Sequence, residues 1–570
     1  MLTVGLNWIY IFFTTLCMGF GAGKIVEKHL HYHIRHLDSI VGLGLVLATV
    51  YAQIWSLCYK VGVAANVVLV LFCMVIVLCC RKEIVDIGRQ LSQSSNKKKG
   101  ILLFLLILVW TYCTSRGYMH YDSDLYHAQS IRWIEEYGVV KGLGNIHVRF
   151  AYNSSFFALS ALYSLRFVFG QSLHCVNGFI ALLLSVEAFR IGKAWKRKKL
   201  LLSDWARVGA IYYLTLIYKE IMAPASDYAV MCVVFYIIIK WLALLEDEQE
   251  LKQVTPYALL CVAGVFAVSL KLTTGLLLLL VIKPVSMLIR EKRWKEIVLY
   301  LCMGILVIVP WLARTVIISG YLLYPFPALD LFPVDWKIPA EAAALDAAEI
   351  KTWGRGLNDA SLIDVPITQW LPSWFQTTLP AIGKVLVLAD LLCLVIGIVY
   401  AVFTVCRRKW EKLDLLLAWT AVAVSFFFWL TSAPLLRYGY AYVLLLVAMT
   451  GGEVLVLLTH YFGKNCHGKR NWCFDNVLCL ALLAVGIVKL WSLGGFIAGS
   501  FQLPYYVNQQ DYGKYELDTF TVEGISFYIP VRGDRVGYDT FPAVPRKVEV
   551  KLRGKGLKDG FISSVYQSNK

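Results

Sequence analysis

Segments of about 16 to 24 mostly apolar residues recur along nearly the whole chain, each long enough as a helix to cross about 30 Å of hydrocarbon. Hydrocarbon offers backbone amides no water, so segments of this kind satisfy their own hydrogen bonds as helices. The pattern predicts an all-α polytopic membrane protein with about fourteen transmembrane helices. A content of 58% hydrophobic and 16% charged residues agrees, since a soluble domain carries far more polar surface.

The formal charge of +17 does not point to nucleic acid. Its Lys and Arg stand in short bunches between apolar segments, at 24–35, 81–99, 193–199, 290–295, 407–412 and 464–470, where the positive-inside rule reads them as cytoplasmic anchors. Helices near 5–22, 38–58, 62–80 and 101–115 then deliver residues 116–153 to the outside, with the N-terminus outside as well. The Pro- and Trp-rich stretch 320–380 also falls outside. Helices near 381–404, 413–431, 441–459 and 475–498 bring the tail, 501–570, to the same side. Parity conflicts at one place, where apolar stretches 154–170 and 172–191 precede a strongly basic cluster. A short, re-entrant or interfacial 154–170 resolves it. The chain divides into N-terminal helices with a basic loop (1–100), a central membrane domain (101–500) and an outward tail.

The fifteen cysteines lie mostly inside apolar segments, so no extracellular disulfide framework is expected. His460, Cys466, His467 and Cys473 share one loop, but their spacing matches no strong zinc pattern.

The first outward loop holds the candidate chemistry. Residues 120–127 read His-Tyr-Asp-Ser-Asp-Leu-Tyr-His, placing Asp122 and Asp124 at a membrane surface among aromatic and imidazole groups. Asp122 or Ser123 would equally serve as a helix cap. Leu125, Ala128, Ile131, Ile134 and Tyr137 recur at every third position, which predicts an amphipathic surface helix ending in the Gly138, Gly142, Gly144 turn. Asn145, His147, Arg149 and Asn153 follow. The topology places Asp227, Lys271 and Arg437 near helix ends on the same side, where ionisable groups are functional candidates by default. Asp-Ser-Asp matches the D-x-D spelling of some metal sites, although no cofactor is called for. The tail alternates apolar and polar residues at Thr519–Ile529 and Lys547–Leu552 and reads as a small β-containing module.

These features resemble the glycosyltransferase C superfamily, whose membrane-embedded members carry an acidic residue in a first outward loop followed by amphipathic juxtamembrane helices. That loop usually begins Asp-Glu with Tyr four positions after the Asp. Asp122 and Tyr126 keep the spacing, and Ser123 stands in place of the second acid. The Ala225-Ser226-Asp227 run, Lys271 at a helix start and the Arg437-Tyr438 pair look like further features of the superfamily. Tyr121-Asp122, Leu125-Tyr126-His127, Gly142-Leu143-Gly144-Asn145 with His147 and Arg149, and Asn153-Ser154-Ser155 are similar to an uncharacterised family of bacterial polytopic membrane proteins. Leu552-Arg553-Gly554 with Gly560-Phe561 is similar to that family's ending.

The resemblance implies an inverting glycosyltransferase in the bacterial cytoplasmic membrane. It would move a sugar from a polyprenyl-phosphate donor to a glycan or lipid acceptor during surface-glycan assembly, with no nucleic-acid partner. Asp122 would be the catalytic carboxylate, and Lys271 and Arg437 would hold the donor phosphate. His147 and Arg149 would orient sugar or phosphate, and Asp227 would support the site. Asp124, Tyr126, His127, Asn153 and Tyr438 complete the expected binding set. A polymerase or ligase of lipid-linked oligosaccharides is one alternative. A transporter or flippase, with the same charges lining a path, is another.

Overall fold

The computed structural model describes residues 1–81, 97–197, 200–465 and 469–563, side chains excepted at 195, 196 and 459–484. The candidate zinc ligands at 460, 466, 467 and 473 therefore lie outside the described side chains. The chain is mainly helical. The N-terminal group is α1 (Leu2–Leu30), α2 (Leu37–Cys58), α3 (Val63–Cys79) and α4 (Lys97–Ser115). The loop that follows carries α5 (Ala128–Tyr137). Helices α6 (Ser155–Tyr163), α7 (Val176–Ala188), α8 (Leu202–Ile217), α9 (Ser226–Leu245) and α10 (Thr255–Leu270) form the centre. A 3-10 run, Leu272–Val281, continues into α11 (Ile282–Arg290), and α12 (Trp294–Ser319) leads to a second loop that holds α13 (Ala340–Gly354). The last helices are α14 (Ala381–Cys406), α15 (Leu413–Ser432), α16 (Leu436–Asn465) and α17 (Lys469–Ser500).

Among the described residues nine helices are long and apolar enough to cross a membrane, and four more apolar helices are shorter, at 10–17 residues. The chain is thus a multi-pass membrane protein. Helix α6 spans nine residues, about 14 Å of rise, less than half a bilayer core. Both its flanks meet the first loop's side of the bundle: the Ser154 hydroxyl donates to the Leu270 carbonyl, and Arg166 donates to Glu136 at 2.8 Å.

Close helix approach positions the N-terminal group. A Cβ on Gly44 would run into the backbone of Thr15, and one on Gly19 into the backbone of Ile40, so α1 and α2 touch along a seam of small residues. At the end of the bundle remote from the loops, Lys240 lies 2.9 Å from Asp38 and 2.7 Å from Glu187, and Arg207 lies 3.0 Å from Glu187. These pairs pin α2, α7, α8 and α9 together.

The tail packs on the loop side. Strands β1 (Leu517–Val522) and β2 (Ile525–Pro530) form an antiparallel hairpin whose two-residue turn, Glu523-Gly524, has positive φ at both positions. Strands β3 (Val550–Leu552) and β4 (Phe561–Ser563) form a second pair. Strand β3 is shorter than the alternation at 547–552 suggested.

Replacing Gly44 with Val is expected to cost about 1–3 kcal/mol by overpacking against backbone. Gly42→Val, where a Cβ meets nothing within 4 Å, is the control. Thermal unfolding of the detergent-purified variants checks this; equal midpoints would mean that the α1–α2 seam has room to spare.

Candidate functional site

The first loop is built around a change of helical register. Ser123–His127 winds as a π-helix before α5, and the Ala128 amide bonds the Ser123 carbonyl. The wider turn leaves the Asp124 carbonyl free of the helix, and it accepts from the amides of Val536 and Gly537, both at 2.9 Å. The π turn buries Leu125 and helix α5 buries Ala128, Ile131 and Ile134 as the spacing predicted, while Tyr137, the last of the series, is half-buried. Its other side is covered too, because Gln129 donates to the carbonyls of Gly537 and Thr540 at 3.0 and 2.9 Å. The helix is therefore enclosed between α6 and the tail module instead of lying bare on a membrane face. Gly138 ends it with φ 78, where a Cβ would strike the Ser56 and Tyr59 carbonyls. Gly142, at φ 64, lets the chain pass against the Phe561 carbonyl.

Six expected residues converge. Asp122 Oδ2 accepts from Arg437 Nη2 at 2.7 Å, and Asp122 Oδ1 lies 3.7 Å from Arg149 Nη1. Arg437 Nε lies 3.5 Å from Asp227 Oδ2, and Lys271 donates to Asp227 Oδ1. Tyr438 completes the group: its hydroxyl accepts from Arg437 Nη2 at 3.0 Å, and Lys271 Nζ sits 3.5 Å from its ring centroid. Asp122 makes no side-chain cap bond, so the capping explanation does not account for it. The group is partly open, with side-chain exposures of 18% for Asp122 and 27% for Arg437.

His120 is a member that the sequence reading passed over. Its Nδ1 lies 3.7 Å from Asp122 Oδ2 and accepts from the Asp122 amide at 3.1 Å, while its Nε2 meets Arg437. Burial, then the Arg437 charge, push His120 below its ordinary range and favour the neutral ring. Burial opposes charge on Asp122 as well, but Arg437, His127, His120 and Arg149 outweigh it and hold the carboxyl below the usual range. Two carboxylates and three cations thus share one partly open cluster. Glu220 stands one layer away, bonded by Tyr228.

Other expected residues are placed elsewhere. Asp124 accepts from the Gly513 amide at 3.1 Å and from the Tyr515 hydroxyl at 2.8 Å, so it fastens the tail module to the loop. Its carboxyl points away from Asp122, and the D-x-D spelling does not form a pair of adjacent acids. Among the described residues no group of three His, Cys, Asp or Glu side chains could hold a metal. His127 is buried, with its ring 4.3 Å from Tyr126 and 5.2 Å from Phe157. His147 stacks edge-on to Phe150, and burial, then Arg149 and Arg546, lower it to about 3. Asn153 joins helices: it donates to the Trp311 carbonyl at 2.9 Å and to Thr315 at 3.0 Å, and accepts from Arg314 at 3.0 Å.

Tyr126 opens a second line of residues behind the cluster. Its ring lies 6.1 Å from that of Tyr152, whose hydroxyl donates to Asp346 on α13; Tyr324 donates to the same carboxyl at 3.1 Å. Asp346 is 1% exposed, and burial raises it to about 6 against the pull of Tyr152, Arg149 and Tyr324. Nothing in the local sequence Ala-Leu-Asp-Ala-Ala marks it, because its partners are 22 and 194 residues away.

A bundle of membrane-length helices that gathers loop and helix-end charges under a small extramembrane module defines the class: a multi-pass membrane protein with a polar site at one face. More narrowly, a family described as a domain of unknown function, DUF8201, matches residues 1–444, over three quarters of the chain, and the chain belongs to that family. The tail module lies beyond the matched residues. No curated protein and no solved structure matches.

A carboxyl raised from about 3.9 in an unfolded chain to about 6 when folded favours its neutral form, so its contribution to stability is fully present below the unfolded value and is lost as pH rises toward 6. Asp346→Asn removes that titration. Relative to the variant, the wild type is therefore expected to lose up to about 3 kcal/mol between about pH 4 and pH 7. Unfolding midpoints of both chains at pH 4.5 and 7.5 test this; a wild-type-to-variant difference that does not change with pH would rule it out.

Proposed function

We propose that the chain is an inverting membrane glycosyltransferase. It would transfer a sugar from a polyprenyl-phosphate donor to a glycan or lipid acceptor on the outer side of a bacterial cytoplasmic membrane, with both termini outside and about fourteen crossings. The observation that carries this reading is the Asp122 carboxylate, presented by a loop and set among Arg437, Arg149, Lys271 and Asp227 at the end of an apolar bundle. A lipid phosphate needs cations at membrane level, and an acceptor hydroxyl needs a base beside them.

In this mechanism Asp122 takes the proton of the acceptor hydroxyl as its oxygen bonds to the anomeric carbon. The bond from that carbon to the phosphate oxygen breaks, and the phosphate leaves with the electron pair. Arg437 and Lys271 stabilise the departing charge. In the structure their partners are Asp122 and Asp227, and a carboxylate held down by arginines is a weak base. A phosphate that draws Arg437 toward itself loosens that grip and raises the basicity of Asp122 when the donor is present.

The transport alternative draws on Asp390, which is fully buried within α14 with neither carboxyl oxygen hydrogen-bonded. A proteoliposome assay that follows both lipid movement and covalent product separates the two readings. Asp122→Asn in reconstituted protein is expected to lower sugar transfer from a polyprenyl-phosphate sugar by about 10²–10⁴-fold. Transfer at the wild-type rate would sink the catalytic assignment. Lipid translocation with no glycosylated product would replace the enzyme reading.

A further inference from the structure

Away from the charged cluster, at the other end of α14–α16, a groove opens between these three helices. Ile396, Leu415, Leu416, Met449 and Leu457 line it, and its surface is almost wholly apolar. Gly397 shapes it: a Cβ there would run into the Trp419 indole, which donates to Thr450 at 2.9 Å. The one carboxylate at the groove, Glu453, is already occupied by Tyr400 at 2.9 Å and Lys412 at 3.1 Å.

Beyond the groove-lining Tyr400, α14 runs on to its end at Arg407-Arg408-Lys409, all exposed. Among the described residues no carboxylate pairs with any of the three, and Glu411 on the same turn forms no ion pair with them. Arg407 and Lys409 rest over the Phe403 ring at 5.3 and 5.8 Å, which keeps their charges beside the helix end. Five other cations at this end of the bundle are matched, since Arg190, Arg197, Arg207, Lys240 and Arg293 each pair with a carboxylate, whereas Arg290, Lys292 and Lys295 are exposed like the three on α14. Three cations without a carboxylate partner among the described residues thus stand at the end of the helix that walls an apolar cleft. The outer side of α14 is itself apolar and exposed, at Val399, Val402 and Val405.

We propose that this groove binds an anionic phospholipid, with an acyl chain between α14, α15 and α16 and the headgroup phosphate on Arg407, Arg408 and Lys409. The apolar lining calls for an amphiphile and not a soluble anion. The three unmatched cations select a negatively charged headgroup over a zwitterionic one. The proposal is independent of the glycosyltransferase reading, because it involves neither Asp122 nor its partners.

Native mass spectrometry of the full chain released from mixed phosphatidylglycerol and phosphatidylcholine vesicles tests it. The wild type is expected to retain phosphatidylglycerol preferentially. The triple variant Arg407→Gln/Arg408→Gln/Lys409→Gln is expected to lose about tenfold or more of that retention. A control triple, Arg290→Gln/Lys292→Gln/Lys295→Gln, removes three cations from another loop at the same end and is expected to behave as wild type. Equal retention of the two lipids, unchanged retention in the first triple, or an equal loss in the control would each overturn the proposal, the last by reducing it to general surface charge. Because all six side chains are exposed or half-exposed, monodisperse elution of both variants verifies that folding is intact.

Discussion

Arg437 is the residue on which the site depends. It lies in the first turn of α16, where the helix dipole disfavours a cation, so its local setting works against it. What holds it there is tertiary: Asp122 from the loop, Asp227 from the first turn of α9, and the Tyr438 hydroxyl. Asp227 itself is favourably placed at a helix N-terminus. Removing one partner from a buried pair of this kind typically costs about 3–5 kcal/mol, because the other charge is stranded. Here the exposures are intermediate, so solvent reduces that figure. Departures from local preference tend to collect at functional sites, and Arg437 is such a departure.

A second constraint is the seating of the loop that carries Asp122. The tail module fixes it through Asp124, whose carboxyl and carbonyl between them accept from Gly513, Tyr515, Val536 and Gly537. Arg535 lies between the rings of Tyr121 and Tyr515 at 5.2 and 5.1 Å, and Tyr121 donates to Asp534. Asn145 ties the same loop to the second one by donating to the Trp336 carbonyl at 2.9 Å. Asp122 and Asp124, two residues apart, thus divide the work: one faces the charged cluster and the other anchors the cover. The π turn between them makes the division geometrically feasible, since it frees a backbone carbonyl that an α-helix would consume.

Much of this was legible in the sequence, for definite reasons. Apolar periodicity and basic bunches depend on each segment alone, so the helices near 38–58, 381–404 and 413–431 emerged with ends close to those observed. The shortness of α6 followed from a parity argument about its neighbours. Asp122 stood out over Asp124 because of its spacing to Tyr126, which is also local information. His120 and Asp346 did not emerge, since their roles come from contacts with Arg437 and Tyr152, 317 and 194 residues away. His147 and Asn153 carry suggestive side chains, yet one stacks on a phenylalanine and the other stitches α12 to the loop. Residue type alone could not separate those roles from ligand binding.

The charge balance of the cluster gives its chemistry a direction. Three cations facing two carboxylates leave room for one more negative group, and on the proposed reading the donor phosphate would supply it. Such an arrival would redistribute the contacts of Arg437, whose Nη2 donates to Asp122 and Tyr438 and whose Nη1 meets His120, while its Nε faces Asp227 at 3.5 Å without a hydrogen bond. Of these, Asp227 keeps Lys271 as a partner. Asp122 would retain only Arg149 at 3.7 Å and the neutral His120, so it is the group whose basicity changes most. On that reading, binding of an anion by Arg437 would be coupled through a single guanidinium to the proton affinity of Asp122.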